Sequence, residues 1–133
     1  MKKIVVHCAD TFADMDIGVK EINEWHITRG FDRIGYHYVI RRDGSIEKGR
    51  EENVTGAHVQ GHNTGSIGIC MVGGKARGRE NPCNFTRKQW ATLDKLVSDL
   101  TTKYPTAEVC GHTDLDEGKS CPTFNVKAWW GQK

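Results

Sequence analysis

Residues 86–104 constrain the fold of this chain more than any other segment of its sequence. Apolar side chains recur there at helical spacing: Trp90, Leu93, Leu96, Val97 and Leu100. Thr86 and Gln89 have the form of a capping box, and Pro105 marks the end of the helix. Because such a helix has one apolar face, it has to pack against another layer of secondary structure.

Short apolar runs elsewhere in the chain are typical of buried strands. We predict strands at residues 3–8, 34–41, 45–48, 66–72 and 107–111, a helix at about 18–29 and a final helical turn at 126–130. The dipeptide Asp43-Gly44 predicts a hairpin between the second and third strands. In the helix at 18–29, Val19, Ile22, Trp25 and His26 are expected on one apolar face. The alternation of strands and helices indicates an α/β fold, with a mixed central sheet flanked by helices in a single domain over residues 1–133.

Composition excludes several classes of protein. The chain has 133 residues, of which 37% are hydrophobic and 27% charged, as in ordinary soluble domains rather than disordered ones. A formal net charge of +2 does not favour a nucleic-acid partner. No apolar stretch is long enough for membrane insertion. The apolar run in the opening MKKIVVHC is shorter than a signal peptide requires. We therefore expect synthesis in a cytoplasm.

The five cysteines are odd in number and lack the spacing of a disulfide framework. Cys8, Cys70 and Cys110 lie in predicted strands, where a small buried side chain is the usual role. Paired cysteines at the spacing of structural zinc or nucleic-acid modules are absent from the sequence. A peptidase with a cysteine nucleophile is a weaker alternative, which would keep its activity without metal.

A candidate metal site comes from His7 together with the segment GHTDLDEGKSCP, in which His112 precedes Cys121 by nine residues. Two imidazoles and a thiolate provide three ligands for Zn²⁺ and leave a fourth position open, which is typical of catalytic zinc. Spacing alone does not establish the site. Cys110 is the alternative ligand, because on a continuing strand it would share a face with His112.

Seven segments, in order along nearly the whole chain, carry a recognisable pattern: VVHC at 5–8, EINEWH at 21–26, GYHYVIRRDGSIEKGR at 35–50, GAHVQGHNTGSIGICMVGG at 56–74, NFT at 84–86, GHTDLDEGKSCP at 111–122 and FNVKAWW at 124–130. They resemble the zinc-dependent N-acetylmuramoyl-L-alanine amidases shared by short phage endolysins and peptidoglycan recognition proteins. The likeness is greatest to the compact lysozymes of T-odd phages. It implies the fold of that superfamily and one Zn²⁺ per chain.

The resemblance also implies roles for particular residues. His7, His112 and Cys121 become the zinc ligands, and Zn²⁺ activates water for attack on the amide between the lactyl group of N-acetylmuramic acid and L-alanine. Tyr36 and Lys119 take the supporting catalytic roles, while the proton donor to the leaving amine stays open. Strand geometry places Tyr36 and Tyr38 on one face, so only the GYH match selects Tyr36. His58 lies in the loop that the resemblance places along the substrate groove, and is a candidate substrate contact.

The same resemblance suggests a biological setting. We expect a monomer that acts on bacterial peptidoglycan for a phage or prophage and reaches the wall through a membrane pore. A cytoplasmic amidase that recycles muropeptides and a non-catalytic peptidoglycan-binding module are the alternatives. Some relatives bind a phage RNA polymerase through an amino-terminal extension; only six residues precede His7, so that partner is not expected. Thr113 replaces the usual arginine after the ligand His112, which affects support of the ligands rather than the ligands themselves.

Overall fold

The computed structural model describes residues 1–131. Its strands are β1 (Lys3–Cys8), β2 (Thr11–Phe12), β3 (Tyr38–Ile40), β4 (Ile46–Lys48), β5 (Ser66–Met71), β6 (Gly74–Lys75) and β7 (Glu108–Gly111). The helices are α1 (Val19–Thr28), α2 (Arg87–Lys103), α3 (His112–Leu115) and α4 (Val126–Gly131). Among these residues, no helix combines the length and apolar character needed to cross a bilayer.

The main sheet has five strands in the order β4-β3-β5-β1-β7. β3 and β4 form the antiparallel hairpin expected at Asp43-Gly44, and the other pairs are parallel. β5 is buried along its whole length, and β1 from Ile4 onward, because both strands lie inside the sheet and are covered on both faces. The predicted α/β class with a mixed sheet is confirmed.

Helix α2 covers one face of this sheet and begins as its sequence predicts. The side chain of Thr86 accepts a hydrogen bond from the N–H of Gln89 at 3.1 Å, and Gln89 Oε1 accepts one from the N–H of Thr86 at 2.9 Å. Leu93 and Val97 are fully buried and belong to the same apolar cluster as the β1 and β5 side chains on that face. The opposite face of the sheet carries α1 and the long loop at residues 49–65. His7 points toward this second face.

Two local predictions need correction, and three short elements were not predicted. Residues 34–37 are not part of β3: the N–H groups of Ile34 and Gly35 bond to the side chains of Asn23 and His26, although the N–H of His37 still bonds to the carbonyl of Gly68 in β5. Trp25 is 40% exposed, since α1 buries only a narrow stripe that contains Ile22 and His26. The chain also forms a small parallel sheet from β2 and β6, and the short helix α3, none of which was predicted.

Candidate active site

The structure brings His7, His112 and Cys121 together, with their ligand atoms all within 4.8 Å of one another. The Nδ1 atoms of His7 and His112 are 3.1 Å apart. Two nitrogen ligands of a tetrahedral zinc, each about 2.0–2.1 Å from the ion, would be separated by about 3.3 Å. The donor set and its spacing therefore fit Zn²⁺.

His7 comes from the end of the sheet at which its parallel strands finish, and His112 and Cys121 come from the segment that follows β7. His7 lies near the carboxyl end of β1, and His112 is the first residue of α3, directly after β7. Two hydrogen bonds hold the segment that carries Cys121: the N–H of Thr113 in α3 donates to the carbonyl of Cys121 at 3.0 Å, and the N–H of Cys8 in β1 donates to Cys121 Sγ at 2.9 Å. The last loop is thus bound to α3 through its backbone and to β1 through the Cys121 side chain.

Cys110, the alternative ligand, lies outside this cluster. It is fully buried and packs with Val5 and Val59. Burial raises the pKa of its thiol to about 11, which disfavours the thiolate that a metal requires. The chain turns into α3 at His112 instead of continuing as a strand, so the two residues do not share a face.

A second thiol, that of Cys8, lies beside Cys121 and forms a hydrogen bond with it. This contact lowers the pKa of Cys8, while the same contact and burial raise the pKa of Cys121. The N–H of Cys8 donates to Cys121 Sγ and acts in the opposite direction there, because such a hydrogen bond stabilises the thiolate. A thiolate at Cys121 is the form that binds Zn²⁺.

The histidines of the site are held in their neutral form. Burial is the main cause of the lowered pKa of His7, and the charges of His58 and His112 add to it. The pKa of His112 is also lowered, again chiefly by burial. Neutral imidazole is the state in which histidine binds a metal. His7 and His112 are therefore ready to bind at neutral pH without first losing a proton.

Tyr36 lies against the metal-ligand cluster, with its ring centroid 5.1 Å from that of His7. It lines the cleft that opens at the site. Burial raises the pKa of the phenol well above 10, and the nearby thiols of Cys70 and Cys121 add to the effect. Tyr36 consequently stays protonated across the neutral range, and its hydroxyl is in hydrogen-bond contact with the buried thiol of Cys70.

Lys119 is exposed on the loop before Cys121 and lines the same cleft. The acidic residues around it are engaged elsewhere: Asp114 accepts a hydrogen bond from the N–H of Gly111, and Asp116 accepts one from the N–H of Gly118. Among residues 1–131, no carboxylate forms an ion pair with the Lys119 side chain. Its ammonium group is thus available to a substrate.

The cleft has a volume of about 720 Å³. His112, Cys121, Tyr36 and Lys119 lie on its walls, and Arg29 stands near Phe31 at another part of the rim. His58 also lines the cleft, but its ring is only 9% exposed and it is hydrogen-bonded to His7. The predicted contact between His58 and substrate stays a prediction.

Sequence reasoning did not identify Ser66 or Cys8 as neighbours of the site. Ser66 bonds to His58, and Cys8 contacts Cys121 through its backbone and its thiol. A signal for Ser66 existed in the strand SIGICMV, where Ser66 and Gly68 fall on the same face as Cys70, the residue paired with His7. The small polar and glycine positions on that face indicate a close approach by another group.

Comparison with known proteins agrees with this geometry. The family model described as N-acetylmuramoyl-L-alanine amidase matches residues 1–124. The endolysin of Klebsiella phage KP32 is 45% identical over 130 residues, covering 96% of this chain and 84% of the relative. The endolysin of Escherichia phage T7 is 41% identical over 127 residues, covering 96% and 83%.

A solved structure supports the same assignment. The N-acetylmuramoyl-L-alanine amidase LysC from Clostridium intestinale URNW superposes with a TM-score of 0.81 at 31% identity, covering 98% of this chain and 85% of LysC. The predicted fold and enzyme class are confirmed. The chain belongs to the N-acetylmuramoyl-L-alanine amidase family.

Proposed function

We propose that this protein is a zinc-dependent endolysin that hydrolyses the amide between N-acetylmuramic acid and L-alanine in bacterial peptidoglycan. One Zn²⁺ would be held by His7, His112 and Cys121. The observation that carries the proposal is the convergence of these three ligands beside a cleft that His112, Cys121, Tyr36 and Lys119 line. Family membership supports the amide as the bond that is cut.

The chemistry divides between the metal and the side chains of the cleft. When bound, Zn²⁺ supplies an activated water at neutral pH and polarises the amide carbonyl. The protonated Tyr36 hydroxyl donates a hydrogen bond to the carbonyl oxygen, where negative charge develops during the attack. The ammonium group of Lys119, on the loop before Cys121, stabilises the same negative charge. The leaving amine of L-alanine needs a proton, and Tyr36 and Lys119 are the two candidate donors.

The biological role follows from the phage relatives. We infer that the chain acts as a single catalytic domain over residues 1–133, as a monomer, and reaches the wall through a membrane pore made by another protein. Similarity to two phage endolysins along 96% of the chain supports a role in lysis.

The direct test is the identity of the amino termini released from purified peptidoglycan. We expect new L-alanine termini, their loss after treatment with a zinc chelator, and their return when zinc is added. Release of any other amino-terminal residue would move the cut into the peptide and refute the amidase assignment. Full activity in the presence of the chelator would refute the zinc dependence alone.

A pair of cysteine variants sharpens this test. Cys121→Ser removes the thiolate ligand, so we expect loss of bound zinc and of L-alanine release. Cys83→Ser is the matched control, because Cys83 is a loop thiol outside the metal-ligand cluster. Equal zinc content in the two variants, measured by elemental analysis, would contradict the assignment of Cys121 as a ligand.

A further inference from the structure

A line of buried polar groups runs from His7 through His58 to Ser66. His7 Nε2 is 2.8 Å from His58 Nδ1, and His58 Nε2 is 3.1 Å from Ser66 Oγ. The line ends where Ser66 Oγ approaches the backbone carbonyl of Asn63 at 2.9 Å. His7, His58 and Ser66 are all buried, and each contact has hydrogen-bond geometry.

The direction of every hydrogen bond in this line can be deduced from its end. A carbonyl oxygen only accepts, so the hydroxyl of Ser66 donates its one proton to Asn63. Ser66 Oγ must then accept from His58 Nε2–H. In a neutral imidazole the other nitrogen is an acceptor, so His58 Nδ1 accepts from His7 Nε2–H. His7 Nδ1 is left with a free lone pair, and this is the atom that lies 3.1 Å from His112 Nδ1.

From this geometry we infer that His58 and Ser66 are positioning residues, which hold His7 in the tautomer and ring orientation that present Nδ1 to the metal. The inference rests on the zinc site proposed above and adds the groups that orient its most buried ligand. Histidine ligands generally donate their second ring N–H to an acceptor that fixes the ring. Here the acceptor is a second imidazole, whose own tautomer is set by a serine.

The surroundings of His58 show that its ring is held in place. A Cβ atom added to Gly68 would lie 2.7 Å from His58 Cγ, and one added to Gly56 would lie 2.7 Å from His58 Cδ2. The ring is therefore in close contact with two backbone positions that only glycine leaves open. Asn63 Oδ1 accepts hydrogen bonds from the N–H groups of His58 and Val59, each at 2.8 Å, and fixes the backbone at the same point.

This role differs measurably from a contact between His58 and the substrate. A substrate contact affects KM and leaves zinc affinity unchanged. A positioning residue for a ligand affects zinc affinity even in the absence of substrate. Zinc affinity, measured by competition with a chromophoric chelator, therefore separates the two roles, and it does so without any activity assay.

Two variants of His58 form the central experiment. His58→Leu has no acceptor for His7 Nε2–H. In His58→Asn the amide oxygen is bonded to Cγ, as Nδ1 is in histidine, so an acceptor is retained at nearly the same place. We expect zinc affinity to fall by about 10- to 100-fold in His58→Leu, the usual cost of losing such a partner, and to recover in part in His58→Asn. His62→Leu, in the same loop, is the control and should bind zinc like the wild type. Unchanged affinity in His58→Leu would overturn the inference, and a raised KM in that variant would then favour a substrate contact.

A second measurement does not depend on these variants folding well. Long-range ¹⁵N–¹H correlation spectra of the metal-free wild type report which nitrogen of each imidazole carries the proton. We expect His7 and His58 both to be protonated at Nε2, and Ser66→Ala to weaken that preference at His58. Protonation of His58 at Nδ1 in the wild type would overturn the inference. Failure of the wild type to bind zinc would instead refute the proposed metal site, so the two failures are distinguishable.

Discussion

Glu52 connects the loop before His58 to the end of α2, and replacing it tests the electrostatics of this fold. One carboxylate oxygen accepts hydrogen bonds from the Tyr104 hydroxyl at 2.7 Å and from Lys103 Nζ at 2.9 Å. The other accepts from the hydroxyl of Tyr38. These three donors outweigh partial burial, which by itself raises the pKa, and together they lower the pKa of Glu52 from 4.5 to about 2.

The magnitude of the effect follows from that pKa. A carboxyl group whose pKa falls from 4.5 in the unfolded chain to about 2 in the folded one contributes about 3 kcal/mol to stability at neutral pH. Because the pKa of the folded state is the lower one, the contribution is complete above pH 4.5 and is lost as the pH falls through 2. We therefore expect Glu52→Gln to lower the free energy of unfolding by about 2–3 kcal/mol at pH 7, and by about half as much at pH 3.

The assay is urea unfolding of both proteins at pH 7 and pH 3, followed by circular dichroism. Metal-free protein has to be used throughout, so that acid release of zinc does not add to the difference. Glu51→Gln, at the exposed neighbouring position, is the matched control and should unfold like the wild type at both pH values. A loss in Glu52→Gln that is the same at pH 3 as at pH 7 would refute the electrostatic reasoning and leave only a packing effect.

Three further predictions concern the site and the core. Tyr36→Phe should lower kcat by about 10²- to 10³-fold, because it removes a donor to the developing oxyanion, while zinc content stays that of the wild type; unchanged kcat would exclude the role. Leu93→Ala, at a fully buried position of α2, should lower the free energy of unfolding by about 3–5 kcal/mol in urea titrations, and a loss below about 1 kcal/mol would contradict its place in the core. Thr86→Ala should cost about 1 kcal/mol through loss of the helix cap, whereas Thr86→Ser should retain most of it.

The parts of the fold that could be predicted are those with their own local signals. Helix α2 has an apolar stripe and a capping box, and the hairpin of β3 and β4 has Asp43-Gly44 at its turn. Strands β1 and β5 are apolar runs bounded by polar turns. In each case a few neighbouring residues contain the information, so a single sequence was enough.

The parts that could not be predicted depend on partners far away in the chain. Strands β2 and β6 are two residues each and exist because Thr11 and Phe12 pair with Gly74 and Lys75. The N–H groups of Ile34 and Gly35 bond to side chains of α1 instead of to a neighbouring strand. At the site, the sequence suggested which residue types could bind a metal. The contact between His58 and His7 could not be predicted, because it depends on how the loop at 49–65 packs against β5.

The position of β1 in the sheet bears on how the protein is made. β1 is synthesised before β5 and β7, yet it lies between them in the sheet, and His7 meets a ligand 105 residues further along the chain. Contacts of such high sequence separation form late, because a long loop has to close first. Until β7 arrives, one edge of β1 is an unpaired template to which another chain can add. The segment that follows β7 carries His112 and Cys121. A nascent chain therefore pairs its exposed edge and acquires these two metal ligands at almost the same point of synthesis.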